Sequence, residues 1–218
     1  MKRDIITSAI GIVVLTLLCG ILYPLVITGI SQVAFPGNAN GQQIKVNGKL
    51  VGSKIIGQQF ATQAVKHGKP QVDNNGNPVT NPDPRYFQSR PSATVPPYNA
   101  AATAFSNLGP NNTATEQAIA ANIQAYIALE RPYVPGLTAA TLPVDAANSS
   151  ASGVDPDISL ANADIQAHRI AAVRHLPITQ VQALISTHTH GRGLGFSGEP
   201  GVNVLALNLA LDRLNGGQ

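Results

Sequence analysis

Ile5-Ile6-Thr7-Ser8-Ala9-Ile10-Gly11-Ile12-Val13-Val14-Leu15-Thr16-Leu17-Leu18-Cys19-Gly20-Ile21-Leu22-Tyr23 contains no charged side chain and is dominated by isoleucine, leucine and valine. A helix of about 20 such residues spans roughly 30 Å, the thickness of a bilayer's hydrocarbon core. The stretch is therefore predicted to cross a membrane. Uncharged sequence continues past Pro24 to Phe35, and the next charge after Asp4 is Lys45. A proline inside a helix removes one hydrogen bond and crowds the preceding turn, so a transmembrane helix over 5–35 is expected to kink at Pro24.

Lys2 and Arg3 precede the apolar run, and no basic residue follows until Lys45. The positive-inside tendency then assigns residues 1–4 to the cytoplasm and 36–218 to one extracytoplasmic domain. A cleaved leader is the competing reading. Its apolar core, however, runs about 7 to 15 residues before small residues, and this run is longer. Leu18, ahead of Cys19, is also too bulky for lipoprotein processing.

Composition narrows the function classes. Charged residues make up 11% of the chain, against roughly 25% in typical soluble proteins. The net charge of +3 is spread without a basic run, and aromatics are 5%, which excludes a phosphate-tracking or base-stacking surface. Cys19 is the single cysteine, so the rest of the chain folds without disulfides or thiolate chemistry.

Beyond the apolar run, Ile44–Val51 alternates apolar and polar residues around Asn47-Gly48, predicting a hairpin. Residues 68 to 84 are dense in Gly, Pro, Asn and Asp and read as a loop. Thr113-Ala114-Thr115-Glu116 has capping-box spacing ahead of Ile119, Ile123 and Ile127, a helix of about five turns ending at Pro132. Helices are also expected from Ser159 to His175, with Ala161, Ile165, Ala172 and Leu176 on its apolar face, and from Thr179 onward. A last helix from Asn203 to Leu214 carries Val204, Leu207, Leu211 and Leu214 on one face, with Asn203 as cap and Gly216 at the C-cap. The fold class is α+β: an N-terminal transmembrane helix followed by one mixed α/β extracytoplasmic domain.

Chemistry-bearing motifs are sparse. His188-Thr189-His190, if extended, aims both imidazoles the same way, but two ligands do not make a metal site, and no third stands at metal-like spacing. The glycines at 191, 193 and 195 match neither GxxxxGK[ST] nor GxGxxG, so a tight turn is expected. Asp155-Pro156-Asp157 reads as a turn and cap before the helix at Ser159. No catalytic residue, metal ligand or tightly bound cofactor is expected. A membrane-anchored periplasmic hydrolase is the alternative, and Ser186, His188 or His190 would have to supply its machinery. Arg85-Tyr86-Phe87-Gln88-Ser89-Arg90-Pro91 gathers residue types found at interface hot spots. It reads equally as a core strand with solvated arginines.

Taken in order, several motifs resemble the C subunit of the Kdp potassium-transporting ATPase, the KdpC family. They are the anchor, Gly52–Gln58, Tyr86–Ala93, Ser106–Asn111, Ser152–Ser159, Gln166 with Arg169, Gly191-Arg192 through Gly198-Glu199-Pro200, Asn203-Val204-Leu205 and Leu207–Asp212. The chain departs from the family pattern at Ala151, Asp157 and Gly201, where glycine, histidine and arginine are usual. The resemblance implies a non-catalytic subunit of a high-affinity potassium uptake complex in the cell inner membrane. Its partners would be a potassium-translocating, channel-like subunit and an ATP-hydrolysing P-type subunit, with no nucleic acid. It implies a nucleotide-binding catalytic chaperone that raises the ATP affinity of the ATP-hydrolysing subunit, whereas the outward topology and the lack of a phosphate loop argue for ATP acting through the complex. The candidate interface or motif residues are Tyr86, Phe87, Arg90, Asn107, Asn111, Gln166, Arg169, Arg192, Glu199 and Asn203.

Overall fold

The computed structural model describes residues 2–74, 76–102, 108–109 and 111–214. Asn107 and Gly216 lie outside the described residues. The chain divides into two compact units, Met1–Ser53 and Lys54–Gln218.

In the first unit, α1 (Lys2–Leu17) passes through a π-helical segment (Leu18–Leu22) into α2 (Tyr23–Ala34). Together they form one apolar helix, Lys2–Ala34, long enough to cross a membrane, with none of its hydropathic window buried. Pro24 offers no N–H to the carbonyl of Gly20, and its ring crowds that carbonyl. The ladder adapts one turn earlier than expected: the Tyr23 N–H donates to the Leu18 carbonyl, five residues back, the register of a π-bulge. Phe35 ends the helix with φ −138° and ψ 54°, because a residue before proline is driven out of the α region. A short α3 (Pro36–Ala39) leads to β1 (Gln43–Val46) and β2 (Lys49–Ser53). Their turn is the expected two-residue one, with φ 50° at Asn47 and 77° at Gly48.

In the second unit the loop expected over residues 68 to 84 instead holds two short strands, each paired with a strand just before it. β3 (Ala61–Gln63) pairs with β6 (Thr80–Pro82), and β4 (Val65–Lys66) with β5 (Lys69–Pro70), forming a nested antiparallel ribbon. Most of its side chains are exposed, so no inward face existed to impose an alternating pattern on the sequence.

The folded core lies further along. α4 (Thr113–Glu130), α5 (Leu160–Arg174), α6 (Ile178–Thr187) and α7 (Val204–Leu214) accompany a small antiparallel sheet of β7 (Asp157–Ile158), β8 (Thr189–His190) and β9 (Gly201–Asn203), in the order β7-β9-β8. Phe87, Ile158, Ala163, Ala167, Ile170, Val181, Ile185, Val202, Val204, Leu207 and Leu211 close into one cluster. The apolar face of α7 is buried as expected apart from the exposed Leu214, whereas Ile119, Ile123 and Ile127 of α4 are only half-buried and the buried side chain of α4 is Glu130. α4 is capped by the Asn112 side chain, which accepts from the Ala114 N–H, rather than by Thr113. α6 begins at Ile178 after Pro177 without a side-chain cap, so Thr179 caps nothing.

α5 is the clearest difference. Ser159 caps it, and His175 closes it in the left-handed region, but its buried stripe is Asn162, Ala163, Gln166, Ala167, Arg169 and Ile170. Ala161 and Ala172 are exposed. Polar side chains occupy the inward face because each finds a partner there.

Candidate functional site

Asn162, Gln166 and Arg169 stand at helical spacing on the buried face of α5. Gln166 and Arg169 grip the stretch Pro84–Gln88, which belongs to no helix or strand, and Asn162 Oδ1 accepts from Gln166 Nε2 at 2.9 Å. The Gln88 N–H donates to Gln166 Oε1 at 2.7 Å, and Gln166 Nε2 donates to the Gln88 carbonyl at 3.0 Å. Asn208 of α7 repeats this one residue earlier: its Oδ1 accepts from the Phe87 N–H at 2.9 Å and its Nδ2 donates to the Phe87 carbonyl at 3.0 Å. Two side-chain amides thus replace a neighbouring strand, satisfying a backbone that burial would otherwise penalise. Phe87, fully buried between them, is core. That decides the reading of this residue against a partner hot spot.

Arg169 completes the grip. Its Nη1 donates to the carbonyls of Pro84 and Tyr86, its Nη2 to Gln166 Oε1 at 3.0 Å, and its Nε to Glu130 Oε1 at 2.9 Å. Both charged side chains are inaccessible to solvent. Glu130 lies at the C-terminal end of α4, where the helix dipole disfavours a carboxylate. Burial holds its pKa above the ordinary carboxylate range, with Arg169 pulling the other way. Its Oε2 is buried without a hydrogen-bond partner. The network extends through Asn162, which accepts from the Tyr126 hydroxyl at 2.7 Å and donates to Asp145 at 2.9 Å, and Asp145 also accepts from the cap residue Ser159.

Tyr86, next to this clamp, is only half-buried. Its hydroxyl donates to Asp212 Oδ2 at 3.2 Å, the Arg174 guanidinium lies 4.7 Å over its ring, and Phe60 packs at 5.4 Å between centroids. Burial, and then the Asp212 carboxylate, raise the phenol's pKa. Beside it Arg85 pairs with Asp83 at 2.7 Å, and that hydrogen bond is the main reason the Asp83 carboxyl sits below its ordinary value.

Arg90 belongs to a different cleft, of about 410 Å³, lined by Asp145, Asp155, Asp157, His190 and Glu199 among others. It pairs with Asp155 at 3.0 Å. Asp157 lies 3.7 Å from His190 Nε2. Its pKa is raised by burial, against the opposing pull of His190. Two positions where the chain departs from its family pattern therefore meet at one point. A Cβ at Gly201 would stand 2.9 Å from His190 Cε1 and 3.3 Å from Asp157 Cβ, so the imidazole occupies the space a side chain at 201 would need.

Asn203 caps α7, its Oδ1 accepting from the Ala206 N–H at 3.1 Å. Its Nδ2 donates to the Lys54 carbonyl at 2.9 Å and to Asp157 Oδ1 at 3.1 Å. Arg192 pairs with Glu199 at 2.6 Å across the turn between β8 and β9, and Asn111 is exposed. The candidates thus fall into two neighbourhoods: Phe87, Gln166 and Arg169 in the clamp with Tyr86 beside it, and Arg90 in the cleft, where Asn203 bonds Asp157 and Glu199 joins the cleft wall to Arg192 at the turn.

The histidine pair does not act together. His188 ends α6 with Nδ1 at 2.8 Å from the Leu184 carbonyl, while His190 faces Asp157. Ser186 is exposed on α6 and makes no hydrogen bond to either imidazole among the described residues. No cluster of three or more His, Cys, Asp or Glu side chains able to hold a metal occurs among the described residues. Glu130 and Asn208 are the site residues the sequence reading missed. Each carried a signal: a lone acid at the wrong end of a helix, and an amide inside an apolar stripe.

Fold and site define a chain with one candidate membrane-spanning helix and a small α+β unit whose buried polar side chains hold its own scaffold. Residues 5–213 match the family model KdpC, described as K+-transporting ATPase, c chain. The chain belongs to the KdpC family. It is 42% identical over 214 residues to the potassium-transporting ATPase KdpC subunit of Mycobacterium tuberculosis strain H37Rv, covering 98% of this chain and 100% of that one. The same-named subunit of Koribacter versatilis is 42% identical over 212 residues, covering 97% and 95% of the two chains. That of Methylococcus capsulatus is 45% identical over 204 residues, covering 93% and 94%.

Proposed function

We propose that this chain is a non-catalytic subunit of a potassium-transporting ATPase, held by its apolar helix with the α+β unit outside the cytoplasm. The observation that carries this reading is the helix Lys2–Ala34, none of whose side chains is buried within the chain. Such a surface requires lipid or partner helices. Lys2 and Arg3 at its start favour a cytoplasmic N-terminus.

In this role the folded unit stabilises the assembly at the outer potassium entrance. Its influence on ATP passes through the partners' conformational equilibrium, a coupling commonly worth about 5- to 150-fold in affinity. The buried clamp suits a rigid docking body, because most of its polar groups are bonded to the chain's own scaffold. Potassium-dependent ATPase activity, measured on the complex purified with and without this chain, tests the reading. The chain is expected to co-purify and to lower the apparent KM for ATP. An unchanged KM refutes the chaperone role, and digestion of the folded unit only from the cytoplasmic side of sealed vesicles refutes the orientation.

A further inference from the structure

Residues 5–72 contain no aspartate or glutamate, and the only lysines or arginines among them are Lys45, Lys49, Lys54, Lys66 and Lys69. From Asp73 onward every such cation is an arginine, and Arg85, Arg90, Arg169, Arg174 and Arg192 are each paired with a carboxylate. All five lysines are exposed, and none forms an ion pair among the described residues. Lys45 and Lys49 stand on the hairpin of β1 and β2, in the same compact unit as the apolar helix. Side chains tie this hairpin to the end of that helix. Asn40 Nδ2 donates to Gln32 Oε1 at 3.0 Å and to the Pro36 carbonyl at 2.7 Å, and the Ser53 hydroxyl donates to the Gly41 carbonyl at 2.6 Å. From Gly41 to Lys45 the chain can reach at most about 14 Å. Across the ribbon Lys45 opposes Leu50 and Lys49 opposes Val46, so each face carries one cation and one aliphatic side chain.

We infer that this hairpin binds the anionic phospholipid headgroups of the bilayer that the helix crosses. The inference goes beyond the subunit reading: it rests only on the helix spanning a membrane, and not on its orientation. Unpaired lysines close to a membrane helix are attracted to an anionic leaflet within about a Debye length, roughly 8 Å at physiological salt. Their aliphatic stems carry the ammonium groups to the headgroups, while Leu50 and Val46 can settle toward the acyl boundary. A carboxylate would be repelled from the same surface, which gives the acid-free stretch a physical reason. The choice of cation favours lipid over an acidic protein surface. Arginine's planar fork matches a carboxylate bidentately, and it is the residue the chain uses for its own ion pairs, whereas lysine meets phosphate as a compact point charge that needs no fixed geometry.

The test uses the full chain in phosphatidylcholine vesicles, with Cys19→Ser and a fluorophore on Gln43→Cys at the exposed start of β1. Quenching by phosphatidylglycerol carrying a spin label at the top of its acyl chain is compared with quenching by phosphatidylcholine labelled in the same way. A lysine beside an anionic surface is worth about fivefold in association, so phosphatidylglycerol should be enriched about 5- to 30-fold at the hairpin. Lys45→Gln with Lys49→Gln should abolish that enrichment, and Lys45→Arg with Lys49→Arg should keep it. Raising the salt to about 1 M, where the Debye length is about 3 Å, should weaken it. Equal quenching by the two lipids in the parent, or an enrichment that survives the double glutamine variant, overturns the inference. Quenching by neither lipid overturns it too, since the hairpin would then stand away from the bilayer, and so does an enrichment lost equally in the arginine variant, since charge would not be its cause. A chain stripped from the vesicles by an alkaline wash defeats the membrane anchor, and the lipid site with it. One that resists the wash but shows no enrichment leaves the anchor standing and sinks the lipid site alone.

Discussion

Replacing Arg169 with methionine keeps the approximate volume of the side chain and deletes the donors that organise the clamp. Glu130 would then be left fully buried beside no counter-charge, and the carbonyls of Pro84 and Tyr86 would each lose a donor. Breaking a buried ion pair from one side costs about 3–5 kcal/mol. For a chain of this size that corresponds to roughly 6–20 °C in unfolding midpoint. Hydrogen exchange should report the same loss locally, as faster exchange at the Phe87 and Gln88 amides held by Asn208 and Gln166. The deficit also has a pH signature. Burial already holds the Glu130 pKa above its ordinary value of 4.5, and losing Arg169 drives it higher. A carboxyl whose folded value exceeds its unfolded value binds its proton more tightly when folded, so it favours folding at low pH. That contribution is withdrawn as pH rises through the window above 4.5. Arg169→Met should therefore stand closer to the parent at pH 5 than at pH 8, by about 1–3 kcal/mol. Adding Glu130→Met should recover most of the loss, because an apolar pair leaves no orphaned charge. Thermal unfolding of the detergent-solubilised full chain measures each quantity. A deficit below about 1 kcal/mol at pH 7, or one that is equal at pH 5 and pH 8, would refute this account of the clamp.

Other substitutions test neighbouring features. Asn112→Ala should cost about 1 kcal/mol of stability by removing the α4 cap, whereas Thr113→Ala should be nearly silent; chemical denaturation of both variants separates them. Gly201→Ala brings a methyl against the His190 ring at 2.9 Å, and Gly57→Ala brings one within 2.5 Å of the Asp155 carbonyl. The first should be mild and relieved by His190→Ala, since an exposed ring can swing. The second should cost about 1–3 kcal/mol with no such relief, as thermal unfolding would show. Asp83→Asn should lose about 1 kcal/mol at pH 7 and little near pH 2, because Arg85 is largely exposed and screened. A carboxyl held below its ordinary 3.8 by Arg85 contributes stability above that value and loses it as pH falls through the folded value; a stability profile from pH 2 to pH 7 checks the sign.

Legibility followed burial pattern. α7 was read from its apolar spacing because its inward face is apolar apart from Asn208, α4 from its capping signal and isoleucine spacing although its one buried side chain is Glu130, and the Asn47-Gly48 turn from its demand for positive φ at both residues. The inward face of α5 was misread because Asn162, Gln166 and Arg169 look like surface residues until their partners, more than 35 positions away in Glu130 and nearly 80 in Gln88, are brought beside them. The ribbon from β3 to β6 escaped notice for the opposite reason: its strands are exposed, and backbone pairing alone leaves no mark on side-chain choice.

By itself the sequence determined the apolar helix, the places where glycine, asparagine and proline interrupt the chain, and a family resemblance that the whole-length match confirms. These are local properties, set by side-chain hydrophobicity and backbone preference within a few residues. Only the tertiary structure decided which polar groups are buried and which apolar ones are not. It turned Arg169 into a core residue and left Leu194 and Phe196 in solvent. The physical reason is that burying a charge or an amide depends on a partner supplied from elsewhere in the chain, and no local pattern encodes where that partner will be.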